Sequence, residues 1–418
     1  MFTWFGKMSK RERGTFWACF SGWALDAMDV QMYAVAMPTL IGLWGLTRAQ
    51  AGLLGTSALI TSSIGGWLAG ILADRIGRVK VLQLTILWFS VFTFLSGLTN
   101  SYEQLMVTRS LQGLGFGGEW AAGAVLMAEV INPRIRGRAV GSVQGGWSVG
   151  YGAAALLFTA IFSFFPPAQA WRYLFFVGIL PGIAVFFIRR HVEEPEIFKA
   201  VQDKRKTGAA TFADIFKQPL LRSTFVASLL AAGTLGGNYT TLNWLPTYLN
   251  TVRHLNVLST GGYLAVNIFG SFCGYIISAH LSDWLGRRRT FALCAILATL
   301  TISVYMLAPI GNLAVLLLGF PLGFCQSGIV AGMGATFAEL FPTYIRATGQ
   351  GFSYNFGRGT GSLMPYMVGY LGGTIALGQA ISMCAIFSYG VVLVAVVLLP
   401  ETRGKTLEGY VQQPQPVA

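Results

Sequence analysis

The stretch Trp23 to Tyr33 reads WALDAMDVQMY and places two carboxylates, Asp26 and Asp29, about one helical turn apart. From Thr15 to Leu43 the chain has no other formal charge. Burying a carboxylate in such a segment costs several kcal/mol, so the pair needs a chemical reason. In a low dielectric, desolvation and mutual repulsion favour keeping at least one member protonated. Such a group can take up a proton on one side of a membrane and release it on the other. Asp26 and Asp29 are therefore candidate proton carriers, with Glu119 as a third. The plainer reading is that one aspartate only orients its helix or pairs permanently with Arg109. Arg109 and Arg358 are the cations that lie within apolar runs. An arginine at depth stays protonated and offers a planar fork that matches a carboxylate. The alternative for each is a resident ion pair that serves folding.

The composition explains what must position these groups. Of 418 residues, 54% are hydrophobic and 11% charged, against about 25% charged in soluble domains. With a mean hydropathy of +0.59, the chain reads as a polytopic all-α membrane protein. Apolar runs predict twelve transmembrane helices at 15–43, 49–73, 79–99, 103–130, 138–164, 170–189, 220–250, 258–282, 289–309, 312–340, 346–372 and 376–399. The charged stretch before Pro219 separates an N-terminal six-helix bundle (1–189) from a C-terminal one (220–418), with 190–219 as a linker on the cytoplasmic surface. Asp26 then falls roughly 16 Å into the first span and Arg358 roughly 18 Å into the eleventh, both near the bilayer midplane.

Charge placement orients the chain. All but five of its 29 Lys and Arg residues fall in the N-terminus, alternate loops and the tail; the exceptions are Arg48, Arg172, Arg253, Arg109 and Arg358. The positive-inside rule then puts both termini in the cytoplasm. The formal net charge of +13 is thus a topology signal, and nucleic-acid binding is not needed to explain it. Five cysteines are scattered without CxxC spacing and the three histidines are far apart, so neither a metal nor another cofactor is expected. The sequon at Asn238 lies in an apolar run where no glycan fits, which points to a bacterial inner membrane. QGLGFGG (Gln112–Gly118) contains G-x-G-x-x-G spacing but no preceding strand, so Gly113 and Gly117 read as a close-packing face.

The two halves repeat one another. GILADRIGRVK follows the second span and AHLSDWLGRRR the eighth, with Asp74 and Asp283 209 residues apart. After the fourth and tenth spans, Glu129 matches Glu339 and Arg136 matches Arg346 at offsets of 210. Duplicated bundles with a site between them are a transporter architecture. D-R-x-G-R, its copy D-x-x-G-R-R-R, and RSLQGLGFGGEW resemble the major facilitator superfamily over the whole chain. Asp26-x-x-Asp29, GGEW, WRYLFFVGILPG and IRATGQGFSYNFGR are similar to the sialate:proton symporter and carboxylate porter branch, and to aromatic acid:proton and metabolite:proton symporters. LPETRGKTLEG resembles the tail signature of sugar porters.

That resemblance implies a proton-coupled importer of a small organic anion, working by alternating access, not an enzyme, in contact only with substrate, protons and lipid, and expected as a monomer. Asp74, Arg75, Gly77 and Arg78 inherit a gating role by motif, as do Asp283, Gly286 and Arg287. Glu129, Arg136, Glu339 and Arg346 join them as the matched set after the fourth and tenth spans. Arg358 and Arg109 are the expected carboxylate contacts. Gln112, Tyr33, Asn238, Asn243, Trp244, Gln326, Tyr354 and Asn355 are candidates to complete the pocket, each equally open to a packing role. A sugar porter is the main rival, strained by Arg358. Drug efflux is less favoured, because no proline occurs between Pro133 and Pro166 in the fifth span.

Overall fold

The computed structural model describes residues 5, 8–76, 78–130, 141–183, 212–342 and 345–402. Its helices are α1 (Lys10–Trp44), α2 (Arg48–Ile76), α3 (Arg78–Ser96), α4 (Tyr102–Val130), α5 (Gly146–Phe164) and α6 (Pro167–Val177). After a 3-10 turn (Phe212–Phe216) come α7 (Leu220–Thr251), α8 (Val257–Leu285), α9 (Arg287–Leu307) and α10 (Asn312–Leu340). The last three are α11 (Arg346–Gly361), α12 (Leu363–Leu371) and α13 (Leu377–Leu398). Among the described residues, seven segments are long and apolar enough to cross a membrane by length and composition alone. The helix carrying Asp26 and Asp29 is not one of them, as its buried polar content would suggest.

Two elements differ from the sequence expectation for local reasons. The basic lead before Thr15 is already helical, because Ser9 and Glu12 form a capping box: Ser9 Oγ accepts from the Glu12 amide at 3.2 Å and Glu12 Oε2 from the Ser9 amide at 2.8 Å. The eleventh predicted span is two helices, α11 and α12, which break at Ser362. Pro365 lacks an amide hydrogen and its ring crowds the carbonyl four residues back, at Gly361. Arg358 sits in the last turn before that break, its carbonyl accepting from the Ser362 amide at 2.9 Å.

The internal repeat is visible in the packing. α2 lies against α4, and α8 lies against α10, at distances that only glycine permits. A Cβ on Gly65 would overlap the Leu114 carbonyl, and one on Gly274 the Phe324 carbonyl; these glycines are 209 residues apart. Gly113 meets Ala58 and Gly323 meets Asn267 in the same way. Contacts of this kind replace the hydrophobic drive that is missing between helices in lipid.

α2 stays against α11 and α12 along its whole length. At one end Arg48 Nη1 donates to the Gly372 carbonyl; midway Thr56 Oγ1 donates to Ser362 O at 2.7 Å; at the other end Trp67 stacks on Phe352 at 6.1 Å. Phe212 and Phe216 of the 3-10 turn pack edge-on against the same Phe352, at 5.7 and 5.0 Å. α5 and α8 are similarly joined, from Thr159 beside Gly261 to Gly141 beside Ala279.

The glycine contacts give a direct test. Gly117→Ala would drive a methyl group into Ser62 O and to 2.6 Å from the Gly66 amide nitrogen. It should cost about 1–3 kcal/mol and lower the melting temperature of the purified protein. Gly351→Ala, where a Cβ meets open space, should leave stability unchanged or slightly raised. A Gly117→Ala protein as stable as its parent would contradict the α2–α4 contact.

Candidate functional site

Asp29, on α1, is 1% exposed, and its Oδ2 accepts from Gln112 Nε2 of α4. The other end of that amide, Gln112 Oε1, accepts from Arg109 Nη1 at 2.7 Å. The Arg109 guanidinium lies 4.6 Å from the centroid of the Tyr33 ring. The Tyr33 hydroxyl donates to Ala51 O of α2 at 2.5 Å, and Thr93 of α3 lies beside the Asp29 carboxylate. Cation, amide, anion and ring thus form one buried chain across α1, α2, α3 and α4. Gln112 is the link that sequence spacing alone does not reveal, since its partner Asp29 is 83 residues away.

Asp26, one turn earlier and fully buried, looks elsewhere. It lies within electrostatic reach of Arg358 on α11 and Tyr239 on α7. The two aspartates read from sequence as a mutually repelling pair therefore lie within electrostatic reach of two different arginines. Arg358 is 1% exposed and reaches across to α4, with its guanidinium 4.6 Å from the Phe116 centroid and 5.0 Å from that of Tyr354. Nη2 donates weakly to the Tyr354 hydroxyl at 3.5 Å, and the Tyr239 hydroxyl is within hydrogen-bonding reach. Nε and Nη1 find no acceptor among the described residues. The environment of Arg358 is chiefly aromatic faces, which hold a cation by their quadrupoles.

The other candidates divide by task. Trp244 is fully buried and donates to Pro365 O at 3.0 Å, so it fastens α7 to α12. Asn243 donates to Tyr239 O at 3.0 Å and faces Gly55. Gln326 of α10 donates to Thr241 Oγ1 at 2.8 Å and also reaches Tyr389 of α13. Asn355 donates to Gly351 O at 3.0 Å and abuts Gly66. Asn238 Oδ1 and Asn355 Oδ1 are buried without a partner among the described residues. Sequence reasoning missed Phe116, Thr93 and Tyr275. Phe116 carried a usable signal: it is the single large side chain within the Gly113–Gly117 face, so it projects where neighbouring positions have nothing.

At the rim, Arg287 forms a salt bridge to Glu339 at 2.9 Å and donates to Ser282 Oγ at 3.1 Å. Glu339 also accepts from the Thr402 hydroxyl. Glu401 accepts from the amides of Arg287 and Arg288 at 3.0 and 3.3 Å, capping the start of α9. Gly286 has φ of +94°, and a Cβ there would sit 2.8 Å from Glu401, so this turn needs glycine. The tail motif that resembles sugar porters therefore has a structural task that says nothing about sugar. The side chains of Asp74, Arg75, Arg78, Glu119, Glu129, Asp283 and Arg346 lie outside the described residues, as do Gly77 and Arg136 altogether.

A closed helical bundle of repeated packing with charge at its centre defines a membrane transporter, and the chain belongs to the Major Facilitator Superfamily, whose profile matches residues 19–365. It is 43% identical over 408 residues, 98% of this chain and 95% of the relative, to a probable 4-methylmuconolactone transporter of Cupriavidus pinatubonensis. It is 33% identical over 390 residues (90% and 92%) to a cis,cis-muconate transport protein of Acinetobacter baylyi. Among solved structures, a bacterial homolog of the human lysosomal transporter Spinster, inward-facing and unoccupied, superposes with a TM-score of 0.65 at 18% identity, covering 93% of this chain and 95% of that one.

The ring contacts predict a graded response at Phe116. Phe116→Leu keeps an apolar side chain but removes the ring facing Arg358, and should cost about 0.5–2 kcal/mol of thermal stability. Phe116→Tyr keeps the face and should cost less. Equal melting temperatures for parent and Phe116→Leu would mean that the ring does not hold the guanidinium.

Proposed function

We propose that the protein imports a small organic anion, a carboxylate, together with protons, by alternating access across a bacterial inner membrane. The observation that carries this reading is Arg358: a buried guanidinium held by aromatic faces, with two nitrogen atoms lacking an acceptor among the described residues. A substrate carboxylate would accept in bidentate fashion from one of these nitrogens together with the second hydrogen of Nη2, the pairs that form the planar forks of a guanidinium. Relatives named for the transport of muconolactone, a monocarboxylate, and muconate, a dicarboxylate, support a carboxylate substrate without fixing the number of its carboxylates.

Asp26 is the proposed proton carrier, because it shares the field of Arg358. A carboxylate arriving at Arg358 brings a second negative charge beside Asp26, and a proton on Asp26 removes the repulsion. Substrate and proton then favour one another's binding, which is the thermodynamic requirement of symport. Asp29, tied through Gln112 to Arg109, keeps a static role in this reading. Opening on one side would part α2 from α11 and α12 at one end while the other end holds.

Two mutations separate the parts. Asp26→Asn should abolish uphill, proton-driven accumulation in proteoliposomes while counterflow of labelled substrate survives, since exchange need not deprotonate the carrier. Full accumulation by this variant would remove Asp26 from the coupling step. Arg358→Lys keeps the charge but loses the fork, and substrate affinity should fall by about 1.5–3 kcal/mol, roughly tenfold to more than a hundredfold. A well-folded Arg358→Ala protein with normal affinity would end the carboxylate reading and favour a neutral solute.

A further inference from the structure

Two arginines lie in the interior, at first sight enough for a substrate with two carboxylates. They are not equivalent. Arg109 is already compensated within its own cluster: Nη1 donates to Gln112 Oε1, and Gln112 in turn donates to the Asp29 carboxylate. The amide is oriented with its oxygen to the cation and its hydrogens to the anion, so each end of Gln112 satisfies one charge. Tyr33, with its hydroxyl fixed to Ala51, covers one face of the guanidinium. A second substrate carboxylate arriving there would lose its hydration, face Asp29, and meet a cation whose charge is already answered.

Arg358 differs in its partners, although both guanidinium groups are buried, with a ring at 4.6 Å and an Nε that has no acceptor among the described residues. It extends between α11 and α4, its flanks are rings, and Nη2, which uses one hydrogen on Tyr354, can pair its other with Nε or Nη1 in a planar fork. Around it stand Phe116, Tyr354 and Tyr239, with Tyr275 of α8 in the electrostatic neighbourhood of the two tyrosines. These groups suit an unsaturated or cyclic neutral body attached to the carboxylate, and they give a second anionic group no cationic partner.

We infer that the site accepts a substrate with one carboxylate and discriminates against the corresponding dicarboxylate, and that Asp29, by neutralising Arg109, is the residue that sets this limit. The inference rests on the carboxylate reading of Arg358 and narrows it.

The test compares one carbon frame in three charge states. Muconate, its monomethyl ester and its dimethyl ester would be titrated as inhibitors of counterflow in proteoliposomes at neutral pH, and terephthalate with its mono- and dimethyl esters as a second frame. The monoester should bind about tenfold or more tighter than the diacid, with the diester weakest. In Asp29→Asn the diacid-to-monoester ratio should move about tenfold toward the diacid, since Arg109 is then uncompensated. A diester that binds as well as the monoester, or no binding by any acid of either frame, overturns the carboxylate reading itself. A diacid that binds as well as the monoester, while the diester does not, overturns only the single-carboxylate inference. An unchanged ratio in folded Asp29→Asn removes Asp29 as the determinant. Should that variant fail to fold, the parental ratio alone decides the single-carboxylate inference.

Discussion

A charge enclosed among helices in lipid must be answered by something, and this chain answers its two interior arginines in opposite ways. Arg109 has an anion of its own, delivered through Gln112, and a ring against its face. Arg358 has rings and hydroxyls around a guanidinium that keeps donors in reserve. The first arrangement is self-contained and binds α1 to α4 (with Tyr33 extending it to α2). On the proposed reading, the second is completed by substrate. That contrast separates scaffold from site within a few helical turns.

The scaffold rests on close approach of backbones. Gly65, Gly113 and Gly117 let α2 and α4 touch, and their repeats Gly274 and Gly323 do the same for α8 and α10. Rigid pairs of this kind hold the polar groups in place while other contacts change. The interface of α2 with α11 and α12 has close glycine approaches of its own, Gly52 on Pro365 and Gly369 on Arg48, and adds side-chain contacts: single hydrogen bonds such as Thr56 to Ser362, and ring stacking such as Trp67 on Phe352. Each contributes about 1 kcal/mol, so a few can be given up together at one end without dismantling either helix pair. The break at Ser362 lies in the middle of this interface, next to Arg358, where a discontinuous helix frees backbone polar groups near the site.

Much of this was legible in the sequence. The helical class, the repeat, the family and the burial of Asp26 and Arg358 all followed from hydropathy, loop motifs and spacing. Three features did not, each for a physical reason. The pairing of Asp29 with Gln112 depends on tertiary contact between segments 83 residues apart, which no local period encodes. The direction of each aspartate was hidden because residues three apart on a helix point only some 60° apart, and neighbours decide which side each faces. Phe116 was missed because its contact with Arg358 joins α4 to α11, which no local pattern encodes, and the glycines beside it are taken up in packing against α2 and α3. Trp244 was misleading in the opposite sense, since an aromatic with a polar tip suggested a pocket wall and became a fastener between α7 and α12.

The predominance of ring faces around Arg358, with Asp26 within its electrostatic reach, has a consequence for turnover on the proposed reading. A permanent buried ion pair is hard to break, because removing one partner costs about 3–5 kcal/mol. A substrate carboxylate could displace such a partner only by matching that cost. Ring faces hold a guanidinium with about 0.5–2 kcal/mol each, and a charge-assisted hydrogen bond contributes about 1.5–3 kcal/mol. On the proposed reading, an incoming carboxylate would prevail at Arg358 without having to expel the rings, which would continue to hold its faces. When the carboxylate leaves, Phe116, Tyr354 and Tyr239 are still there to keep the cation enclosed. The site is stable enough to survive empty and weak enough to be emptied, and both properties come from the same aromatic surroundings.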